Sequence, residues 1–269
     1  MNWVKRNIFF VISFSILLFW MLFEIVKTYP IYLSCDTTDP VLFFYIIFGN
    51  SSLSFLPLIS PIFIVVPAIF NFHQKLHSGF MEYYLTRESY DKYIKKEFNN
   101  SIICSVIFPL IIIIFLVIGC ILNGNIDFGS GSFLYGYYPS PPVKYISIIW
   151  IFMLIYILNI WLQSIFYINV GLIISKKHSS FLITVILFFI SFIIMNIIFE
   201  VFIGNLLLAR ILNIHNVTDT LNLFNYWIYD GINNLWLSTL FSLLLCVGSL
   251  VVFYFTYKNK EGVVIEGEK

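Results

Sequence analysis

Six long apolar stretches with short polar gaps between them dominate this chain, and the cations are shared unevenly among those gaps. A helix needs about 20 apolar residues, at 1.5 Å of rise each, to cross the hydrocarbon core of a bilayer. The stretches at about 8–26, 54–72, 102–122, 145–174, 180–203 and 235–257 approach or exceed that length. Of the 15 Lys and Arg residues, Lys5, Arg6, Lys75, Arg87, Lys92, Lys95, Lys96, Lys176, Lys177, Lys258, Lys260 and Lys269 occupy alternate gaps, and only Lys27, Lys144 and Arg210 occupy the others. Short cytoplasmic loops retain cations. The expectation is therefore all-α: a polytopic integral membrane protein of the cell membrane with six transmembrane helices, its N and C termini cytoplasmic, forming one domain over 1–269.

Composition agrees with a lipid solvent. Hydrophobic residues make up 60% of the chain and charged ones 11%, too few to wet the surface of a soluble globule of 269 residues. A net charge of +1 speaks for no nucleic-acid partner; the cations report orientation instead. Lys5 and Arg6 precede an apolar run without a small-residue cleavage site before Glu24, so the first stretch is expected to remain as a span. Cys35, Cys104, Cys120 and Cys246 lack metal-ligand spacing, and Cys104 and Cys246 fall in apolar spans as small hydrophobes.

Individual polar residues within the spans then carry most of the information. Glu24 lies about 24 Å above Ile8 by helical rise, near the outer boundary, with Lys27 one turn on as its partner. Pro57, Pro61 and Pro67, with Gly49 to Ser52 ahead of them, interrupt the apolar run that starts at Val41, which places an interfacial segment at 41–48 before the second span. Tyr156, Asn159, Gln163 and Tyr167 share one face of span four, and Asn196 and Glu200 lie one turn apart near the end of span five. Amides in lipid act as interhelical glue or line a pathway, and intramembrane acids mark functional sites, so Asn159, Gln163, Asn196 and Glu200 are the candidate packing or pathway residues. His73 and His77, one turn apart, lack a third ligand and read as a solvated pair.

The longest inward-facing interval, 73–99, is expected to form two short connector helices. Phe80, Met81, Tyr84 and Leu85 give the first an apolar stripe, and Ser89 is a candidate N-cap for the second. Glu88 with Lys92 and Asp91 with Lys95 are spaced for i, i+4 ion pairs, while Tyr90, Tyr93 and Ile94 face elsewhere. Such a helix either rests on lipid headgroups or docks a cytoplasmic protein. The segment 204–234, rich in Leu, Ile, Phe and Trp, is expected to form short external helices at the outer surface.

In this order of features, along its whole length, the chain resembles the permease subunit of type-2 ATP-binding-cassette (ABC) exporters. That family carries an acidic residue, a small apolar run, an Arg with an aromatic, and a Lys at the base of span three; here Glu82, Leu85, Thr86, Arg87, Ser89, Tyr90, Tyr93 and Lys96 lead into Phe98 in a similar way. The Pro-rich, Asn-Ser-interrupted second span departs from the pattern. The resemblance implies a docking surface for an ATPase subunit at Phe80, Glu82, Tyr83, Arg87, Tyr90, Tyr93 and Lys96, and a second permease chain, identical or paralogous. No G-x-x-x-x-G-K-[ST] loop occurs, and Gly129-Ser130-Gly131 lacks the following Lys, so no cofactor is expected on this chain; ATP and Mg belong to the partner. The implied cargo is an amphipathic molecule, a peptide, an antimicrobial or a lipid. A non-transporting sensor or immunity scaffold is the alternative. An intramembrane enzyme is disfavoured because no H-E-x-x-H or comparable catalytic arrangement crosses the spans.

Overall fold

The computed structural model describes residues 8–33, 56–77, 89–123, 149–198 and 235–258. Helices account for nearly all of them, and no strand occurs among the described residues. The elements are α1 (Ile8–Leu33), α2 (Leu56–His77), α3 (Tyr90–Ser105), α4 (Ile107–Asn123), α5 (Ile149–Ser175), α6 (Phe181–Ile197) and α7 (Leu235–Tyr257). Among the described residues, three stretches are long and apolar enough to cross a membrane: Ile8–Lys27, Ile157–Ser175 and Thr239–Tyr257. The remaining apolar helices α4 and α6 are 17 residues each, and α2 ends in the polar run from His73 to His77. The expected segments at 41–48 and 204–234 lie outside the described residues.

α5 is the axis of the bundle, packing against α2, α3, α4, α6 and α7. Its neighbour α2 buries Ile64, Val65, Ala68, Ile69, Phe72 and Leu76, a stripe at the three- and four-residue spacing of one helix face. Against that stripe lie Phe166, Tyr167, Ile168 and Leu172 of α5 and Phe188 and Phe192 of α6, with Phe253 and Tyr257 of α7 closing the core. Tyr167 meets Phe192 edge to face at 5.2 Å, an arrangement that favours the ring quadrupoles. Gly171 lets α2 approach α5 closely, because a methyl group there would overlap Ile69 and Val65. The outer faces are apolar too: Phe19 is 73% exposed, Leu182 69% and Phe255 65%. Contiguous apolar surface of this kind needs lipid or another protein against it.

Hydrogen bonds fix the helix directions. Asn159 to Thr239, Asn169 to Ser249 and Lys176 to the Thr256 carbonyl all join residues 80 apart, so α5 and α7 run parallel at constant register. The turn from Lys176 to Ser180 reverses the chain into α6, which is antiparallel to both. His73 and His77 reach the carbonyls of His178 and Ser175, and Tyr90 reaches that of Tyr257. The end of α2, the start of α3 and the ends of α5 and α7 thus share one end of the bundle. Of the described cations, Lys75, Lys92, Lys95, Lys96, Lys176, Lys177 and Lys258 belong to that end and only Lys27 to the other. The sequence-level charge asymmetry is also an asymmetry in space.

Several boundaries differ from the sequence reading for identifiable reasons. α1 continues past the expected residue 26 to Leu33, since Pro30 falls in the last turn, where one lost hydrogen bond matters little. α2 runs through Pro61 and Pro67 and beyond residue 72 to His77; Lys75 and His77 in its last turn complement the helix dipole, and the histidines tie it to the α5–α6 turn. The third span is divided at Val106, because Pro109 has no N–H to offer the Ser105 carbonyl, and Val106 bonds back to Ile103 instead. Ser89 occupies the expected N-cap position and its carbonyl accepts the first helical bond, from the Tyr93 N–H, but its hydroxyl makes no capping bond.

Candidate functional site

The most interlocked polar region lies at the basic end, where α3 is fastened to its neighbours. Tyr93 is 2% exposed and packs into the core, so its contribution to any docking is to anchor α3 from within. Tyr90 donates its hydroxyl proton to the Tyr257 carbonyl at 2.6 Å, and Tyr257 donates in turn to the Leu172 carbonyl at 2.7 Å. A line of two phenols thereby joins α3 to α7 and α7 to α5. Burial, and secondarily the Asp91 carboxylate, push the Tyr90 phenol up to about 12, so it remains a donor across the physiological range. Phe98 and Phe253 add a ring contact between the same two helices.

A second fastening joins α3 to α2. Lys75 donates to Glu97, whose carboxylate is buried while the lysine is a quarter exposed. Ser101 donates to the Glu97 carbonyl on the same face of α3. Asp91, Lys92, Lys95 and Lys96 all lie on the exposed side. The i, i+4 pair expected between Asp91 and Lys95 does not form among the described residues, whereas Glu97 of α3 makes a long-range ion pair with Lys75. Phe80, Glu82, Tyr83 and Arg87, the other expected docking residues, lie outside the described residues.

The histidines close the same end. His73 Nε2 is 2.9 Å from the His178 carbonyl and His77 Nε2 is 3.1 Å from that of Ser175. A carbonyl only accepts, so both rings carry a proton on Nε2. Burial lowers the pKa of His73; the bond to His178 opposes this and the neighbouring His77 reinforces it. The rings lie 4.4 Å apart. The sequence reading placed this pair in solvent, whereas His73 is buried against the α5–α6 turn. No group of three His, Cys, Asp or Glu capable of holding a metal occurs among the described residues.

The polar axis between α5 and α7 completes the arrangement. Asn159 donates to Thr239 and Asn169 to Ser249, each at 3.0 Å, ten residues apart on both helices. Gln163 is buried one turn below Asn159. Trp161 donates to the Ser105 hydroxyl at 2.8 Å, pinning α5 at the joint between α3 and α4. Asn169 escaped the sequence reading because it lies off the face shared by Asn159, Gln163 and Tyr167; the matched ten-residue spacing of Asn159 with Asn169 and Thr239 with Ser249 was the available signal. Asn196 sits in α6 with its side chain outside the description, and Glu200 lies outside the described residues. At the opposite end, Glu24 accepts from Trp20 and pairs with Lys27 at 3.7 Å, the partner its spacing predicted. It is buried rather than hydrated, with the Trp20 indole N–H on its carboxylate in place of water.

The geometry thus consists of one short amphipathic helix clamped on two sides to the ends of longer apolar helices, with a basic face left exposed. No protein-family model, curated protein or solved structure matches this chain.

Proposed function

We propose that the chain is the permease subunit of an ATP-driven exporter. In this reading it crosses the membrane six times, with the basic end in the cytoplasm, and a second permease chain completes the pathway. A separate cytoplasmic ABC ATPase subunit supplies the nucleotide chemistry, and the cargo is an amphipathic peptide or lipid-like molecule. The observation that carries this reading is the double fastening of α3, by Lys75–Glu97 to α2 and by Tyr90 and Tyr257 to α7 and α5. A helix tied this way cannot be displaced alone: force applied to its exposed face at Lys92, Lys95 and Lys96 moves the ends of three others. That is the mechanical property required of an element between a motor and a pathway. Packed interfaces have discrete arrangements rather than continuous deformations, so such a push selects between states of the bundle.

The test is purification in mild detergent followed by reconstitution. A nucleotide-hydrolysing protein is expected to accompany the chain, and Arg87→Glu or Tyr90→Ala is expected to uncouple its hydrolysis from export without preventing membrane insertion. Absence of any co-purifying ATPase, or unchanged coupling in both variants, contradicts the proposal and favours a scaffold.

A further inference from the structure

Between α2 and α3 lies a cleft lined by Pro67, Ala68, Asn71, Lys75, Glu97, Asn100, Ser101 and Cys104. We propose that it binds the zwitterionic headgroup, a phosphate with an ammonium, of a phospholipid in the leaflet that α3 borders.

The first argument is the polarity gradient along the cleft. Pro67 and Ala68 on α2 and Cys104 on α3 form one end, and Lys75 and Glu97 form the other. From Pro67 to Lys75 is about 12 Å of helical rise, and from Cys104 to Glu97 about 10 Å, so both walls turn from apolar to charged over the same depth. A phospholipid at the membrane interface has the same gradient over a similar distance. The bundle end at which the charges lie is the one where the described cations collect, as expected of a surface at headgroup level.

The second argument is the ion pair itself. Glu97 is 5% exposed, and a carboxylate taken this far from water is seldom a net gain over an apolar residue, even when paired. Its retention beside a cleft has an explanation in recognition. Lys75 is the more exposed partner and can turn to a phosphate, while the ligand ammonium takes its place on Glu97. One ion pair becomes two, and no charge is left uncompensated. The Asn71 and Asn100 amides and the Ser101 hydroxyl on the walls offer further donors and acceptors. An anionic headgroup without an ammonium would draw Lys75 away and leave Glu97 buried alone, so the site discriminates against it by an unpaired charge.

Native mass spectrometry of the purified full chain tests this, with phosphatidylethanolamine and phosphatidylglycerol titrated separately. The wild-type chain is expected to retain phosphatidylethanolamine about tenfold more tightly, the effect of one charge-assisted hydrogen bond. Lys75→Gln combined with Glu97→Gln keeps the shape, removes both charges and should abolish the preference. Asn100→Trp, which fills the cleft and leaves the ion pair intact, should weaken phosphatidylethanolamine retention and decides the matter if the double variant does not fold. Equal retention of the two lipids by the wild type, a preference that survives in the double variant, or undiminished binding to Asn100→Trp overturns the proposal. The measurement involves neither ATP nor a partner, so its failure leaves the export reading standing, and the reverse also holds.

Discussion

Replacing Gly171 by alanine probes a close approach of α2 to α5. A Cβ at this position would lie 2.7 Å from Val65 Cγ1 and 3.1 Å from Ile69 Cγ1, and closer still to Ile69 Cδ1. Relaxed carbon contacts begin at about 3.5 Å, so Val65 must retreat by nearly 1 Å. Ile69 can swing its terminal methyl aside at a cost of about 1 kcal/mol. Val65 cannot, because a β-branched residue in a helix has one strongly preferred rotamer, and α2 itself must shift. Overpacking of this kind costs about 1–3 kcal/mol, and replacing Gly by Ala in a helix returns up to about 1 kcal/mol. The net expectation is a loss of about 1–2 kcal/mol, or a fall in Tm of roughly 5 °C for a chain of this size. The assay is thermal unfolding in detergent followed by a thiol-reactive dye, with Cys35 and Cys120 changed to serine so that the buried Cys104 and Cys246 report. Gly248→Ala is the internal control: nothing lies within 4 Å of its added methyl group, and Tm should hold or rise slightly. Adding Val65→Ala to Gly171→Ala should recover part of the loss. If Gly171→Ala is as stable as Gly248→Ala, α2 and α5 are not packed as described.

Two further perturbations address the polar contacts. A double-mutant cycle of Asn169→Leu and Ser249→Ala should give a coupling energy of about 0.6–1.7 kcal/mol, the range for interhelical hydrogen bonds in lipid, whereas Asn169→Leu with Thr239→Val should be additive, since those residues share no bond. The Tyr90 phenol is raised above its unfolded value of 10 to about 12, so the stability it contributes is complete below pH 10 and is lost as pH rises toward 12. The difference in phenolate absorbance between the wild type and Tyr90→Phe should show no ionisation of this group at pH 10; an ordinary titration there contradicts its bond to Tyr257.

The residues legible in the sequence are those whose role depends on neighbours a turn or two away. Lys27 partners Glu24 and the apolar runs mark the helices because each such signal is local, whereas the joint between α3 and α4 ahead of Pro109 falls inside a run that reads as one continuous span. The pattern of α3 revealed one aromatic and one charged face, yet not that the aromatic face turns inward, which depends on where α7 ends. Lys75 and Glu97 were both visible as charged residues, but their pairing required α2 to extend to His77 and α3 to return antiparallel beside it. Asn169 became significant only once α7 was known to lie parallel to α5 in a register that brings Ser249 opposite.

Cysteine labelling reads out which side of the membrane α3 faces. In a chain with its other cysteines removed, Lys96→Cys places a thiol on the exposed face of α3, and Lys27→Cys places one at the opposite end of the bundle. A membrane-impermeant maleimide should label Lys96→Cys only in inside-out vesicles and Lys27→Cys only in intact cells. Labelling of Lys96→Cys from outside the cell would contradict the account, because no cytoplasmic motor could then reach the helix on which the coupling depends.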